Sequence, residues 1–241
     1  MVQELRQAVR ALRATPGQAL GAVVVLAVGL GATTAIYTLI DRVLLHPVDI
    51  RNPDRFVRFF ALHPSGRPYE GFLYSQWLEM RRDVEAFEDV AAYGQAGIGP
   101  TVLDRGDRHV PVSALAVSSN YFSVIGVTMS RGPGLLVEHD QPGARPVAVL
   151  SDRAWRRLFD SAPDVVGRAI RVNEALVTVV GLAPPGAHSP DVGRGPDLYV
   201  SLRSVPLLTS FPMTFFDTEP LESESPTAWW KLVGRLKPGI S

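Results

Sequence analysis

Residues Ala14–Ile40 form 27 consecutive positions without a charge, bounded by Arg13 and Asp41. The inner part, Ala19–Ile40, reads ALGAVVVLAVGLGATTAIYTLI, and its polar atoms are limited to Thr33, Thr34, Thr38 and the Tyr37 hydroxyl. Twenty-two helical residues at about 1.5 Å each reach about 33 Å, enough for a hydrocarbon core about 30 Å thick. Ten of them are Val, Leu or Ile; at about −0.3 to −0.6 kcal/mol each near the bilayer centre, they favour insertion by at most about 3 to 6 kcal/mol. Threonine hydroxyls can return to carbonyls one turn back, so they do not oppose the span. A buried soluble helix competes with this reading, but an all-round apolar helix of this length is long for such a chain. A cleaved signal peptide also competes, because Arg6, Arg10 and Arg13 make a positive start. The apolar run exceeds the usual h-region of about 7–15 residues, however, and no A-x-A site follows it. An uncleaved anchor over residues 16–42 is the expected reading.

Orientation follows from what comes next. Arg6, Arg10 and Arg13 on one side are matched by Arg42, Arg51, Arg55 and Arg58 on the other, so counting basic residues does not decide. The tail of about 200 residues is a domain, and long domains cross largely regardless of charge, which places the amino terminus inside. Before the span, Val2, Leu5, Val9 and Leu12 repeat at helical spacing, with Arg6, Arg10 and Arg13 on another face. Residues 1–15 therefore read as an amphipathic helix lying on an anionic leaflet. Thr15-Pro16 reads as an N-cap with proline in the first turn. Within the span, Ala27, Gly31 and Ala35 lie four apart, a small-residue ridge suited to close helix packing.

Residues 45–241 read as a mixed α/β domain, so the fold class is α+β with one amino-terminal membrane helix. Arg55–Leu62 is expected as a strand, and Ser75–Tyr93 as a helix carrying Trp77, Met80, Val84 and Phe87. Asp83, Glu85, Glu88 and Asp89 would form its wet face. Ile98–Asp104 and His109–Val117 read as a strand pair around Arg105-Gly106-Asp107, a tripeptide that tight turns demand. Ser119–Ile125 reads as a helix start capped by Ser119 or Asn120. Pro146–Leu150 is a strand, followed by a helix capped at Ser151-Asp152 with Trp155, Leu158 and Phe159 inward. Ala169–Val172 and Leu176–Leu182 bracket Asn173-Glu174 as a hairpin, and Leu198–Leu202 is a further strand. Arg203–Ala228 has four acids, one arginine and four prolines and reads as a loose surface loop. Trp229–Leu236 returns to strand character, burying one of its two tryptophans.

The residues for chemistry are sparse. Twenty-four basic against 24 acidic residues leave no net field to draw nucleic acid, and the absence of cysteine removes thiolate sites. The only lysines, Lys231 and Lys237, do not precede Ser or Thr, so this sequence contains no P-loop. His46, His63, His109, His139 and His188 lie too far apart to form a ligand pair by spacing. Glu138-His139-Asp140 is the one dense titratable cluster, best read as a polar loop. No serine stands in a nucleophile elbow. No enzyme activity, catalytic residue, metal or cofactor is expected.

The order of phrases also carries a resemblance. The arginine-rich start leads to Pro16-Gly17 and LAVGLGATTAIY, then VLLHPV and Pro53-Asp54-Arg55. FEDVAAYG, VSSNYFSVIGV, PVAVLSDRAWRRLF, VVGRAIRVN, VTVVGLAPPG and GRLKPGIS follow. This succession resembles the amino-terminal half of a MacB-type, FtsX-like ABC transporter permease, most closely the duplicated orphan permeases of bacteria. The resemblance implies a first membrane helix and a periplasmic core domain with a porter-like part and an inserted smaller α/β part. Such permeases continue past the RLKPG phrase into three more membrane helices, so a chain ending at Ser241 resembles a truncated or split permease. It further implies the bacterial inner membrane, a separate ABC ATPase, and a permease half or a second copy as partner. Arg6, Arg10 and Arg13 would be coupling residues at the cytoplasmic surface, and Ala27, Gly31 and Ala35 a packing face. An anchored extracytoplasmic binding module without transport activity is the alternative.

Overall fold

The computed structural model describes residues 16–40, 52–63, 65–95, 100–106, 108–187, 189–191, 195–208 and 230–240. Two compact units emerge, residues 1–47 and 48–241. In the first, α1 (Pro16–Ile40) is a continuous helix of 25 residues. The Thr33 and Thr34 hydroxyls donate to the Gly29 and Leu30 carbonyls, each at 2.8 Å. Thr15 and the stretch 1–15, expected as an interfacial helix, lie outside the described residues.

The second unit is built on β1 (Phe56–Arg58), β2 (Ala61–Leu62), β3 (Pro68–Tyr69), α2 (Tyr74–Asp83), β4 (Phe87–Gln95), β5 (Thr101–Asp104), β6 (His109–Val112), β7 (Ala114–Val117) and α3 (Tyr121–Ile125). It continues through β8 (Val147–Leu150), α4 (Asp152–Phe159), β9 (Ala169–Val172), β10 (Ala175–Leu182), β11 (Leu198–Ser201), α5 (Val205–Leu208) and β12 (Lys231–Leu236). Ten strands form one mixed sheet in the order β1-β12-β4-β7-β11-β8-β10-β9-β5-β6, while β2 and β3 pair separately. Among the described strands, only the β7–β11 and β8–β10 pairs are parallel.

Alternation along the central strands sends side chains into two cores, one on each face. Val90, Ala92, Ala148, Leu150, Leu198, Val200 and Leu232 point to one face, where Trp77, Leu158, Phe159, Val205 and Leu208 from α2, α4 and α5 cover them. Ala91, Tyr93, Val147, Val149, Tyr199 and Val233 point to the other, beneath Tyr121, Phe122, Val124 and Ile125 of α3. A strand buried on both faces needs apolar residues in succession, which is why β8 (VAVL) is buried at every position. At one sheet edge, β6 carries Pro111, which pairs with Val102 but has no N–H to offer a further strand.

Several expectations hold. Ser151 accepts from the Ala154 N–H at 3.2 Å and caps α4. Asn173 takes a positive φ of 50° in the β9–β10 hairpin. Trp230 is buried next to β12, while Trp229 lies outside the described residues. Others need correction. The expected helix over Ser75–Tyr93 stops at Asp83, because Val84 turns extended and the next residues enter β4, paired with β12 and β7. The helical spacing of Val84 and Phe87 was coincidental, since Val90–Gly94 is buried in succession as a central strand. The acidic face dissolves with it: Asp83 ends α2, whereas Glu88 and Asp89 lie on β4 and bind Arg55 and Arg81.

Arg55–Leu62 is not one strand but β1 and β2, with the Phe59 N–H donating to Leu232 between them. His109–Val117 divides at Ser113 because buried Asp197 accepts from the Ser113 N–H, and Asp197 and Leu198 N–H groups donate back to Ser113. The β5–β6 turn keeps Arg105 and Gly106, with Asp107 outside the described residues. Asn120 precedes α3 without a side-chain cap bond, its Oδ1 taking the Ser118 hydroxyl instead. Arg203–Leu208 is helical, with Val205 and Leu208 buried; residues 209–229 lie outside the described residues.

Two local features are readily tested. Gly234 lets β12 pass under two rings: a Cβ there would sit 2.7 Å from Phe87 and 3.0 Å from Phe59. Gly234→Ala should lower stability by about 1–3 kcal/mol, read by urea unfolding with tryptophan fluorescence. Asp140 accepts from the Ser119 N–H at 2.8 Å. Burial pushes its carboxyl up, against the opposing pull of Ser119, Arg81 and Arg203. Ionisation therefore costs the folded state: the contribution of Asp140 is fully favourable below the free carboxylate pKa of about 3.9 and is lost as pH rises through its higher folded value. Asp140→Asn keeps an acceptor for Ser119, so its melting temperature should gain on the parent's as pH rises through that window.

Candidate functional site: an uncharged helix and a charged clasp

The first site is α1 itself. Every one of its described side chains is exposed, Ala27, Gly31 and Ala35 among them, and a Cβ at Gly31 would meet nothing within 4 Å. Among the described residues, no helix is long and apolar enough to cross a membrane; the α1 sequence carries no charged residue over its 25 positions. Arg6, Arg10 and Arg13 lie outside the described residues.

The second site brings together residues that are distant in sequence. Lys231 on β12 places Nζ 2.9 Å from Glu70 and 3.1 Å from Asp191. Arg58 on β1 reaches Glu70 at 2.5 Å and Asp191 at 2.8 Å, and donates to the Pro190 carbonyl at 3.2 Å. The Tyr93 hydroxyl on β4 donates to Asp191 at 3.3 Å. Two cations and two carboxylates thus close a neutral, half-buried clasp joining β1, β12 and β4 to the chain after β3 and to the segment around 190. Burial works against the charge on Lys231, but hydrogen bonds to Glu70 and Asp191 outweigh it and raise its pKa. Burial, reinforced by Asp191, pushes the Tyr93 hydroxyl up, so it stays a donor. Exposed ion pairs contribute about 0.2–1 kcal/mol each, so the clasp matters more for where it holds these segments than for energy.

A groove of about 500 Å³ opens beside α3, with Phe122, Val127, Met129 and Leu135 on its walls and Ser119 and Ser123 among its polar groups. Among the described residues, no group of three or more His, Asp or Glu could hold a metal. His63 bonds Ser65 in its own turn, and His139 accepts from the Leu136 N–H. Glu138-His139-Asp140 forms a short 3-10 turn, as a polar loop would. His46 and His188 lie outside the described residues. The sequence reading missed the clasp. No periodicity links residues 58, 70, 93, 191 and 231, and the only signal was a rare lysine on a strand.

Comparison with known proteins matches residues 19–241 to the MacB-like periplasmic core domain. The macrolide export ATP-binding/permease protein MacB 1 of Yersinia pestis bv. Antiqua is 39% identical over 84 residues, which is 35% of this chain and 13% of that protein. This chain therefore spans a small part of the curated relatives it matches. The periplasmic region of MacB from Actinobacillus actinomycetemcomitans superposes with a TM-score of 0.53 at 14% identity, covering 77% of this chain and 76% of that one. The extracellular domain of the noncanonic ABC-type transporter YknZ from Gram-positive bacteria gives 0.52 at 12% identity, covering 76% and 84%. At these identities the structures share the fold, and the match along most of the sequence assigns the lineage: the chain belongs to the MacB-like periplasmic core domain family.

Proposed function

We propose that this chain is a membrane-anchored, non-catalytic part of an ABC-type permease that transmits motion across a bacterial inner membrane. In this reading α1 crosses the bilayer once, the amino terminus is cytoplasmic, and the α/β unit of residues 48–241 lies outside. The observation that carries it is an uncharged 25-residue helix at the head of a MacB-like core domain. A helix of that length spans about 37 Å at 1.5 Å per residue, more than the hydrocarbon core requires. The ATPase would be a separate polypeptide acting from the cytoplasm, with Arg6, Arg10 and Arg13 at the membrane surface where its motion arrives. The Ala27/Gly31/Ala35 face would pack against a permease half or a second copy. The α/β unit would then move as a lever, with its ten strands in one sheet carrying displacement across the domain.

The intact chain should stay in the membrane pellet after alkaline carbonate extraction, and protease added outside spheroplasts should digest residues beyond the helix. Release by carbonate, or digestion only after lysis, would overturn the topology. Gly31→Leu should abolish co-purification with the permease or ATPase partner in mild detergent while leaving carbonate resistance intact. A parent chain that is already monomeric and partnerless there would favour the anchored binding module instead.

A further inference from the structure

The β2–β3 hairpin has no place in the ten-stranded sheet. It consists of two two-residue strands, with Ala61 opposite Tyr69 and Leu62 opposite Pro68. An isolated pair of this size is marginal in water, yet it carries three large apolar side chains in the open: Phe60 at 53%, Leu62 at 74% and Tyr69 at 41% exposure. Its base, by contrast, is firmly held. The Phe59 N–H donates to Leu232 at 3.1 Å, the Phe72 N–H donates to Trp230 at 2.8 Å, and Glu70 sits in the clasp between Arg58 and Lys231. The clasp therefore presents an apolar tip from a fixed stem.

The chemistry of that tip is specific. From Phe59 to Tyr69 there is no carboxylate, and the charge is supplied by Arg67, with His63 beside it. Arg58, paired with Glu70 and Asp191 in the clasp, holds its guanidinium 6.0 Å from the Phe60 ring centroid. Exposed aromatic and leucine side chains rimmed by arginine make the set found where proteins meet lipid headgroups.

We propose that the hairpin tip, through Phe60, Leu62 and Tyr69, rests in the headgroup layer of an anionic phospholipid bilayer, with Arg67 pairing to lipid phosphates. The inference builds on the anchored reading above. A three-residue tip is too small for a stable protein interface, which buries about 800 Å² per partner, whereas insertion at a lipid surface needs no such area.

The chain has no cysteine, so single-cysteine variants of the full chain take one environment-sensitive nitrobenzoxadiazole label each. Leu62→Cys, Val28→Cys in α1 and Leu176→Cys on the exposed side of β10 are reconstituted in nanodiscs of phosphatidylcholine and phosphatidylglycerol. A fraction of the lipid carries a quencher in the upper acyl chain. The label at 62 should emit at shorter wavelength and lose most of its intensity to the quencher, the label at 176 neither, and discs without phosphatidylglycerol should weaken the effect at 62. If the label at 28 is quenched while 62 behaves like 176, the hairpin inference falls and the anchor stands. If the label at 28 is not quenched, the anchored reading falls and takes the inference with it. Energy transfer between labels at 62 that grows with chains per disc, without lipid quenching, would assign the tip to a second copy and overturn the proposal.

Discussion

Burial of the central strands on both faces is the constraint from which the α/β unit follows. β8 and β11 are covered along their whole length, and a strand in that position cannot leave either face to water. Each face must therefore recruit its own layer. On one side α2, α4 and α5 supply Trp77, Leu158, Phe159, Val205 and Leu208; on the other α3 supplies Tyr121, Phe122, Val124 and Ile125. The polar interruptions fall where the sheet changes partner. Asp197 is the clearest case: it accepts from Ser113 and from Arg153 and Arg157, so the carboxylate that separates β6 from β7 is itself fully engaged.

How much of this was legible in the sequence depended on whether the signal was local. Ser151 as a cap and the Asn173-Glu174 hairpin are short-range features, and each appears where the pattern placed it. The extension of α2 into residues 84–93 was misread because a strand buried on two faces has no period of its own and can imitate helical spacing by chance. Ser113 gave no warning that its neighbours would join different parts of the sheet, since the cause, Asp197, lies 84 residues away. The clasp was invisible for the same reason: Arg58 and Lys231 become neighbours only once β1 and β12 pair. The family resemblance, carried by an ordered set of phrases, reached the lineage that the comparison with known domains established.

Among the described residues, several titratable groups are engaged in structural contacts: the clasp, the Arg81–Asp89 pair and the Asp152–Arg156 pair on α4. The buried tyrosines keep their protons, Tyr121 and Tyr199 both pushed up chiefly by burial. Tyr199 donates to the Ala187 carbonyl, so its hydroxyl stitches a loop to the sheet.

Pro111 on the outermost strand bears on a hazard common to every open sheet. An unpaired margin presents a row of free N–H and C=O groups to which a strand of a neighbouring molecule can add. A margin that lacks a donor at its middle offers a poor template for an incoming strand, and the opposite margin, β1, is only three residues long. Crowded copies of this domain can thus slide past one another without zipping into ribbons.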